Sequence, residues 1–97
     1  MTSPNNANPY NIRETEQFDA EWQGAVRLGY INPMVDPATL MHVRRWLAQS
    51  PYAIDQRPNV PANRRWVALN PRVWLWYSIV EDDRTVWLES VRIVGDN

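Results

Sequence analysis

The C-terminal quarter of the chain has the pattern of a β-hairpin, with two runs rich in β-branched and aromatic residues on either side of an acidic turn. The first strand is predicted over residues 72–80 and the second over 85–93, joined by a two-residue loop at Asp82-Asp83. A half-buried strand needs only one apolar face, yet the first strand carries bulky apolar residues at both parities. Its two faces therefore need separate explanations.

One face of the hairpin is predicted to be the core. If Val80 lies opposite Thr85, side chains of one parity on both strands point the same way, and nearly all of them are apolar. We expect this face to be covered by two helices. Its members are Val73, Leu75, Tyr77 and Ile79 on the first strand with Val86, Leu88 and Ser90 on the second.

The opposite face is predicted to be rich in tryptophan and edged by arginine. It would hold Arg72, Trp74, Trp76 and Ser78 opposite Trp87, Glu89, Val91 and Ile93, joined by Arg65 and Val67 if Leu69 pairs with Arg72. An exposed apolar patch of this kind usually marks a binding surface. The alternative is that residues 52–63 or the N-terminal tail fold over it. By this parity Arg92 belongs to the core side, unless a bulge in the last strand turns it round.

The preceding residues predict a short strand, two helices and a further strand. Residues 10–14 alternate as a strand, and Thr15 is placed to cap a helix that ends at Gly29. Asp36-Pro37 predicts a second helix that begins with an aspartate cap and runs to about Gln49. Residues 52–63 form a connection, and 64–69 form a strand. The first helix would bury Phe18, Trp22, Ala25 and Val26, and the second Leu40, Val43 and Leu47.

The order is therefore βααβββ, an α+β fold with two helices on one face of a small antiparallel sheet. Residues 1–9 are expected to be a disordered tail and 10–97 a single domain. No cysteine and one histidine, His42, exclude disulfides and multi-histidine metal sites. No segment is apolar enough to span a bilayer, and no signal peptide is evident. We expect a soluble cytoplasmic protein without cofactor or metal.

All ten basic residues are arginine, and they are unevenly distributed. Residues 44–72 hold six arginines and one acid, whereas 1–43 and 73–97 each hold two arginines and five acids. The guanidinium fork suits phosphate or carboxylate. Codon usage in a GC-rich genome and a solvated basic face are the alternatives.

With this order and size, the chain resembles the RelE/ParE toxin superfamily of bacterial type II toxin–antitoxin systems. The resemblance rests on the hairpin "RVWLWYSIVEDDRTVWLESVR" and on "ETEQFDAEW" at the first helix. It implies a toxin that an antitoxin wraps. RelE-like members cut mRNA in the ribosome without metal, whereas ParE-like members poison DNA gyrase.

The resemblance carries over to individual residues only in part. Arg64 or Arg65 stands where the family has basic residues on the second strand, and Arg92 resembles the basic residue that closes the last strand. Trp74 occupies the position of the third-strand catalytic arginine, and Arg72 precedes it by two residues. No lysine is present, and no tyrosine follows Arg92.

Two function classes follow. In the first, the toxin acts on translation by metal-free, ribosome-dependent mRNA cleavage, or is a weakened relative of such enzymes. Arg65, Arg72 and Arg92 would then supply cations close to one another, and Glu89 would act as a base unless it only pairs with an arginine. In the second, the chain is a non-enzymatic gyrase poison or an antitoxin-bound module. Arg64, Trp74, Trp76 and Trp87 would bind RNA bases or the antitoxin partner.

Overall fold

The computed structural model describes residues 9–53 and 64–94. The predicted order βααβββ is confirmed. The predicted N-terminal tail lies outside the described residues except for Pro9, and so does most of the predicted connection. The elements are β1 Asn11–Glu14, α1 Glu16–Arg27, α2 Asp36–Gln49, β2 Arg64–Asn70, β3 Val73–Val80 and β4 Thr85–Ile93.

The four strands form one sheet in the order β1-β4-β3-β2. β2, β3 and β4 are an antiparallel meander, but β1 pairs with β4 in parallel, so the sheet is mixed and not wholly antiparallel. Parallel pairing is possible because the connection from β1 to β4 is long enough to cross the sheet. Neither described helix is long and apolar enough to cross a membrane.

The first helix begins and ends as the sequence predicts. The Thr15 hydroxyl accepts a hydrogen bond of 3.0 Å from the Phe18 amide, which satisfies one of the free N–H groups of the first turn. Gly29 follows the helix with φ 85°, a left-handed conformation that glycine adopts without strain. Phe18 and Ala25 are buried against the sheet.

The second helix has the predicted bounds, but Asp36 does not cap it. The helix has no side-chain cap, and the Asp36 carboxylate turns to the tertiary structure. Its Oδ2 accepts from the Asn32 amide at 2.8 Å and from the Asn70 side-chain amide at 3.1 Å. Asp36 is 7% exposed, so these bonds replace lost hydration. The buried carboxylate joins the α1–α2 loop to the end of β2.

The core face of β3 is confirmed. Val73, Leu75, Tyr77 and Ile79 are at most 3% exposed and belong to one cluster with Phe18, Leu47, Val86 and Leu88. The Tyr77 hydroxyl donates to the Pro51 carbonyl at 2.9 Å, and burial raises the pKa of Tyr77 to about 12. The helices therefore cover one face of the sheet only.

The β3–β4 hairpin has the predicted pairing of Val80 with Thr85, but a different loop. Four residues connect the strands as a short 3₁₀ turn, and Arg84 closes it with φ 45°. The loop contains Glu81 and Arg84 in addition to the predicted Asp82-Asp83. Because neither residue belongs to a predicted strand, the pairing of Val80 with Thr85 is unchanged.

A bulge in β4 exchanges side chains between the two faces. Ser90 pairs with Trp76 and Leu88 with Tyr77, so Glu89 is the extra residue. Beyond the bulge Val91 lies opposite Leu75 on the core side, and the prediction that Ser90 belongs to the core face is wrong. Ile93 likewise moves to the core side, opposite Val73. Arg92 moves to the other face, as expected for a bulged strand.

An irregularity at Leu69 shifts β2 by one residue relative to the predicted pairing. Ala68 lies opposite Trp74 and Trp66 opposite Trp76. The prediction that Arg65 and Val67 share the tryptophan face is therefore wrong. Leu69 is 5% exposed, and its burial in the core accompanies the slip.

Candidate functional site

The sheet surface that points away from α1 and α2, here called the outer face, collects most of the predicted site residues. All four of its tryptophans are partly exposed, and its serines are buried among them. Its members with polar or aromatic side chains include Arg13, Arg64, Trp66, Trp74, Trp76, Ser78, Trp87, Glu89, Ser90 and Arg92.

Glu89 is fixed at two points on the outer face. Arg64 Nη2 lies 2.6 Å from Glu89 Oε1, and the Ser78 hydroxyl donates to Oε2 at 2.5 Å. The Arg64 guanidinium also lies 6.0 Å from the Trp76 ring. A carboxylate has about four acceptor positions, so these two contacts leave Glu89 able to accept further hydrogen bonds. The predicted pairing of Glu89 with an arginine is found, but the arginine is Arg64.

The bulge that carries Glu89 is anchored by the start of α1. The Thr15 amide donates to the Leu88 carbonyl at 3.0 Å, and the Thr15 hydroxyl donates to the Glu89 carbonyl at 3.1 Å. The Val91 amide donates to Glu21 Oε1 at 2.7 Å. Pairing of β1 with β4 ends at Glu14, opposite Leu88. Beyond that point Thr15 and Glu21 supply the hydrogen-bond partners for the backbone groups on this edge of β4. They hold Glu89 and Arg92 on the same face.

Trp66 and Trp74 form a stacked pair across β2 and β3. Their ring centroids are 3.8 Å apart and their planes differ by 6°. The two residues are diagonal neighbours, since Trp66 lies directly opposite Trp76. The pair forms a flat aromatic surface in the middle of the outer face.

Arginines surround this surface. Arg92 is exposed and lies opposite Trp74, and Arg13 is exposed opposite Trp87. Arg64 lies opposite Ser78 and Arg92 opposite Trp74, so the two arginines are about 13 Å apart along the strand direction. Because they lie on β2 and β4, they are also two strand spacings apart, about 10 Å across the sheet. In this set of described residues, Arg13, Arg64 and Arg92 accompany a single acid, Glu89, so the outer face favours an anionic partner.

The structure does not bring Arg65 and Arg72 together. Arg65 lies opposite Tyr77 on the helix-facing side, with its guanidinium 5.1 Å from the Tyr52 ring. Arg72 precedes β3, five residues or about 16 Å along the strand from Tyr77. Its guanidinium lies 4.7 Å from the Tyr30 ring.

Arg72 instead borders a cleft at the end of the sheet, next to the buried carboxylate of Asp36. The cleft has a volume of about 430 Å³, and its lining includes Tyr30, Val35, Asp36, Asn70 and Arg72. Its polar side chains bond mainly to one another and to the loop backbone, since Asn70 also donates to the Tyr30 carbonyl at 3.2 Å. This arrangement serves the packing of the α1–α2 loop.

A second polar cluster, which the sequence did not indicate, lies at the β3–β4 turn. The hydroxyls of Tyr10 and Tyr52 both donate to Glu81 Oε2, the first at 2.6 Å. These bonds lower the pKa of Glu81, and the bond to Glu81 raises the pKa of Tyr10. Burial, followed by the bond to Glu81, raises the pKa of Tyr52 to about 12. The cluster joins the residue before β1 and the segment after α2 to the hairpin.

Trp66, Ser78 and Arg13 are outer-face residues to which the sequence analysis gave no role. The sequence predicts the correct face for Ser78, but the bond of Ser78 to Glu89 depends on the bulge. Trp66 lies on the same face of β2 as Arg64. That face is the outer face only because the irregularity at Leu69 shifts the pairing of β2 by one residue. Within residues 9–53 and 64–94, no three acidic or histidine side chains are grouped as a metal site would require.

Known structures resemble this chain in fold, although the sequence gives no match to protein-family models or to curated proteins. The toxin–antitoxin complex RelBE2 from Mycobacterium tuberculosis aligns with TM-score 0.69 and 17% identity, covering 95% of this chain and 99% of that chain. The isolated RelE toxin of E. coli gives 0.69 and 15%, covering 91% and 87%. The archaeal RelE–RelB complex from Pyrococcus horikoshii gives 0.67 and 13%, covering 92% and 99%.

These alignments span nearly the whole of each protein. At 13–17% identity the alignments establish the fold of this chain and not its function. The resemblance to the RelE/ParE superfamily predicted from the sequence is confirmed at the level of the fold: the chain has the RelE-like α+β fold.

Proposed function

We propose that this protein is the toxin of a type II toxin–antitoxin module and inhibits growth by cleaving mRNA on the ribosome without a metal. The observation that carries the proposal is the outer face, where Arg64, Arg92 and Glu89 stand on one open surface of a RelE-like fold. The structural neighbours include a RelE toxin and the toxin–antitoxin complex RelBE2, which supports a toxin role here.

The proposed chemistry uses three outer-face residues. Glu89 takes the proton of the ribose 2′-hydroxyl, and the 2′-oxygen attacks the adjacent phosphorus. Arg92 stabilises the charge of the phosphorane with forked N–H donors. The bond to the 5′-oxygen breaks, leaving a 2′,3′-cyclic phosphate, and the 5′-oxygen receives a proton from Glu89 or from water. Arg64 orients Glu89 through their ion pair.

Arg65 and Arg72 have a different place in this proposal. Neither lies beside Glu89, so we assign the cationic roles to Arg64 and Arg92. Any role of Arg65 or Arg72 in binding RNA outside the outer face stays a prediction.

The partner is proposed to be a cognate antitoxin, in the cytoplasm. The neighbours from M. tuberculosis and P. horikoshii were solved as toxin–antitoxin complexes, which supports this. Partly exposed tryptophans beside arginines are the residue types that dominate binding energy in protein interfaces. An antitoxin that covers the outer face would silence the toxin by occupying it.

A second candidate is a non-enzymatic member, either a gyrase poison or an antitoxin-bound module. The specific feature in its favour is Trp74, which by the sequence resemblance stands where the family has its third-strand catalytic arginine. The absence of lysine points the same way. In that case the outer face binds protein and performs no chemistry.

Growth inhibition by matched arginine variants tests the toxin role. Induced expression of the chain should arrest bacterial growth, and Arg92→Ala and Arg64→Ala should each relieve the arrest. Arg45→Ala is the control, because Arg45 is exposed on α2, away from the outer face. Equal arrest by all three variants would contradict the proposal. Arrest accompanied by loss of DNA supercoiling, with intact mRNA, would support the gyrase alternative.

A further inference from the structure

The carboxylate of Glu89 has two partners of unequal rigidity. Arg64 Nη2 lies 2.6 Å from Oε1, but the Arg64 side chain is 47% exposed and reaches the carboxylate through several rotatable bonds. An exposed ion pair of this kind contributes little free energy, because the ordering of a long side chain offsets the attraction. The Ser78 hydroxyl donates to Oε2 at 2.5 Å, and it belongs to a short side chain on a residue that is 7% exposed. Ser78 is therefore the more rigid of the two partners.

Strand pairing does not set the direction of the Glu89 side chain. Ser90 pairs with Trp76 and Leu88 with Tyr77, so Glu89 is the extra residue of the bulge and has no partner residue on β3. Thr15 bonds to the backbone carbonyl of Glu89 and not to its carboxylate. The orientation of the carboxylate therefore depends on bonds made by the side chain itself.

Ser78 is held in place by the middle of the sheet. It lies on β3 between Arg64 of β2 and Trp87 of β4. Its neighbours along the strand, Tyr77 and Ile79, are at most 3% exposed and belong to the core. The position of the Ser78 hydroxyl is thus set by the packing of the core.

The bond to Glu89 also explains why a serine stands at this position. Most of β3 consists of aromatic and β-branched residues, which are the types that favour strands, and Ser78 is neither. A buried hydroxyl is destabilising unless it makes a hydrogen bond, and an ionised carboxylate is purely an acceptor for that bond. The contact with Glu89 therefore satisfies the buried hydroxyl and fixes the carboxylate at the same time.

We infer that Ser78 is a positioning residue of the proposed ribonuclease site: its hydroxyl holds the Glu89 carboxylate in the orientation from which that carboxylate takes the proton of the ribose 2′-hydroxyl. This inference rests on the proposed function, because it presupposes that Glu89 is the base. Ser78 touches no reacting atom and acts only through Glu89. Arg64 restrains the other carboxylate oxygen from β2.

The kinetics of mRNA cleavage on ribosomes separate positioning from binding. Single-turnover rate constants are measured at increasing protein concentration, which gives a maximal rate constant and a half-saturating concentration. Ser78→Ala should lower the maximal rate constant about 10- to 100-fold, because a small misplacement of a reacting group costs up to about 100-fold. The half-saturating concentration should stay unchanged, since a buried hydroxyl makes no contact with the ribosome. Ser78→Thr keeps a hydroxyl and should restore most of the rate.

Thr85→Val is the matched control. Thr85 is 5% exposed on the same sheet, and its hydroxyl donates to the Asp83 carbonyl at 3.1 Å, away from Glu89. The substitution removes a buried hydroxyl and keeps the shape of the side chain, so cleavage should continue at the parental rate. Urea unfolding of each variant checks that it is folded.

A double-mutant cycle tests the contact without any reaction. The free energy of unfolding is measured for Ser78→Ala, Glu89→Ala and the double variant. The double variant should lose less stability than the two single losses together, because the second substitution removes a bond that the first has already broken.

A parental cleavage rate in Ser78→Ala would overturn the inference. So would an equal loss of rate in Thr85→Val, a higher half-saturating concentration at an unchanged rate constant, or a folded Ser78→Thr that fails to restore cleavage. Additive losses in urea beside normal cleavage by the unsubstituted chain would overturn the inference alone. Intact mRNA with the unsubstituted chain would overturn the proposed function, and the role of Ser78 with it.

Discussion

Removal of the Glu21 carboxylate should release the bulge that positions Glu89. Val91 is 6% exposed, and its amide donates to Glu21 Oε1 at 2.7 Å. Glu21→Ala leaves this buried N–H without that acceptor. A hydrogen bond to a charged group contributes about 1.5–3 kcal/mol, so the free energy of unfolding should fall by about that amount. Glu21→Gln keeps an acceptor oxygen and should lose only about 1 kcal/mol.

Urea denaturation and amide hydrogen exchange measure the two parts of this prediction. Gln23→Ala is the control, because Gln23 is exposed on the same helix and its loss should change stability by less than about 0.5 kcal/mol. In Glu21→Ala the Val91 amide should lose protection before the rest of β4. If Glu21→Ala matches Gln23→Ala in stability and in exchange, the helix does not anchor the bulge.

Three further perturbations test the packing. Leu75→Ala should lower the free energy of unfolding by about 2–5 kcal/mol, because Leu75 is 0% exposed, and a loss below about 0.5 kcal/mol would refute the assigned core face. Asp36→Ala should cost about 1–3 kcal/mol by leaving the Asn32 amide and the Asn70 side chain without their acceptor; unchanged urea stability would refute this. The folded pKa of Glu81 is lowered, so its contribution is present above the ordinary glutamate range and is lost as the pH falls through the folded pKa. Glu81→Gln should therefore flatten the loss of stability between neutral and acid pH, whereas a curve parallel to that of the unsubstituted chain would contradict the stated bonds.

The sequence predicts those parts of the fold that depend on local signals. Thr15 and Gly29 mark the ends of the first helix because capping involves residues only a few positions apart. The core face of β3 follows from the pairing of Val80 with Thr85, which places side chains that are nearly all apolar on one side of the hairpin. The order and the resemblance together predict the fold that the structural neighbours confirm.

The errors arise where one irregular residue or one distant donor decides the outcome. The slip at Leu69 places Trp66 on the outer face and removes Arg65 from it, although no local signal marks it. Asp36 finds buried donors in Asn32 and Asn70, which the helix-cap pattern cannot anticipate. The parity of Arg92 indicates a bulge somewhere in the last strand, but only the structure locates it at Glu89. Candidate residues can thus be selected from the sequence, but their grouping depends on register.

Mapping of mRNA ends on translating ribosomes tests the central claim most directly. Purified protein is added to a reconstituted translation reaction, and new 5′ ends are located by primer extension. The account predicts discrete cuts in the unsubstituted chain, undiminished cuts in Arg45→Ala, and none in Glu89→Gln or Arg92→Ala. Intact mRNA in the presence of the unsubstituted chain, or cuts that persist in Glu89→Gln and Arg92→Ala alike, would contradict the claim that the outer face is a ribonuclease site.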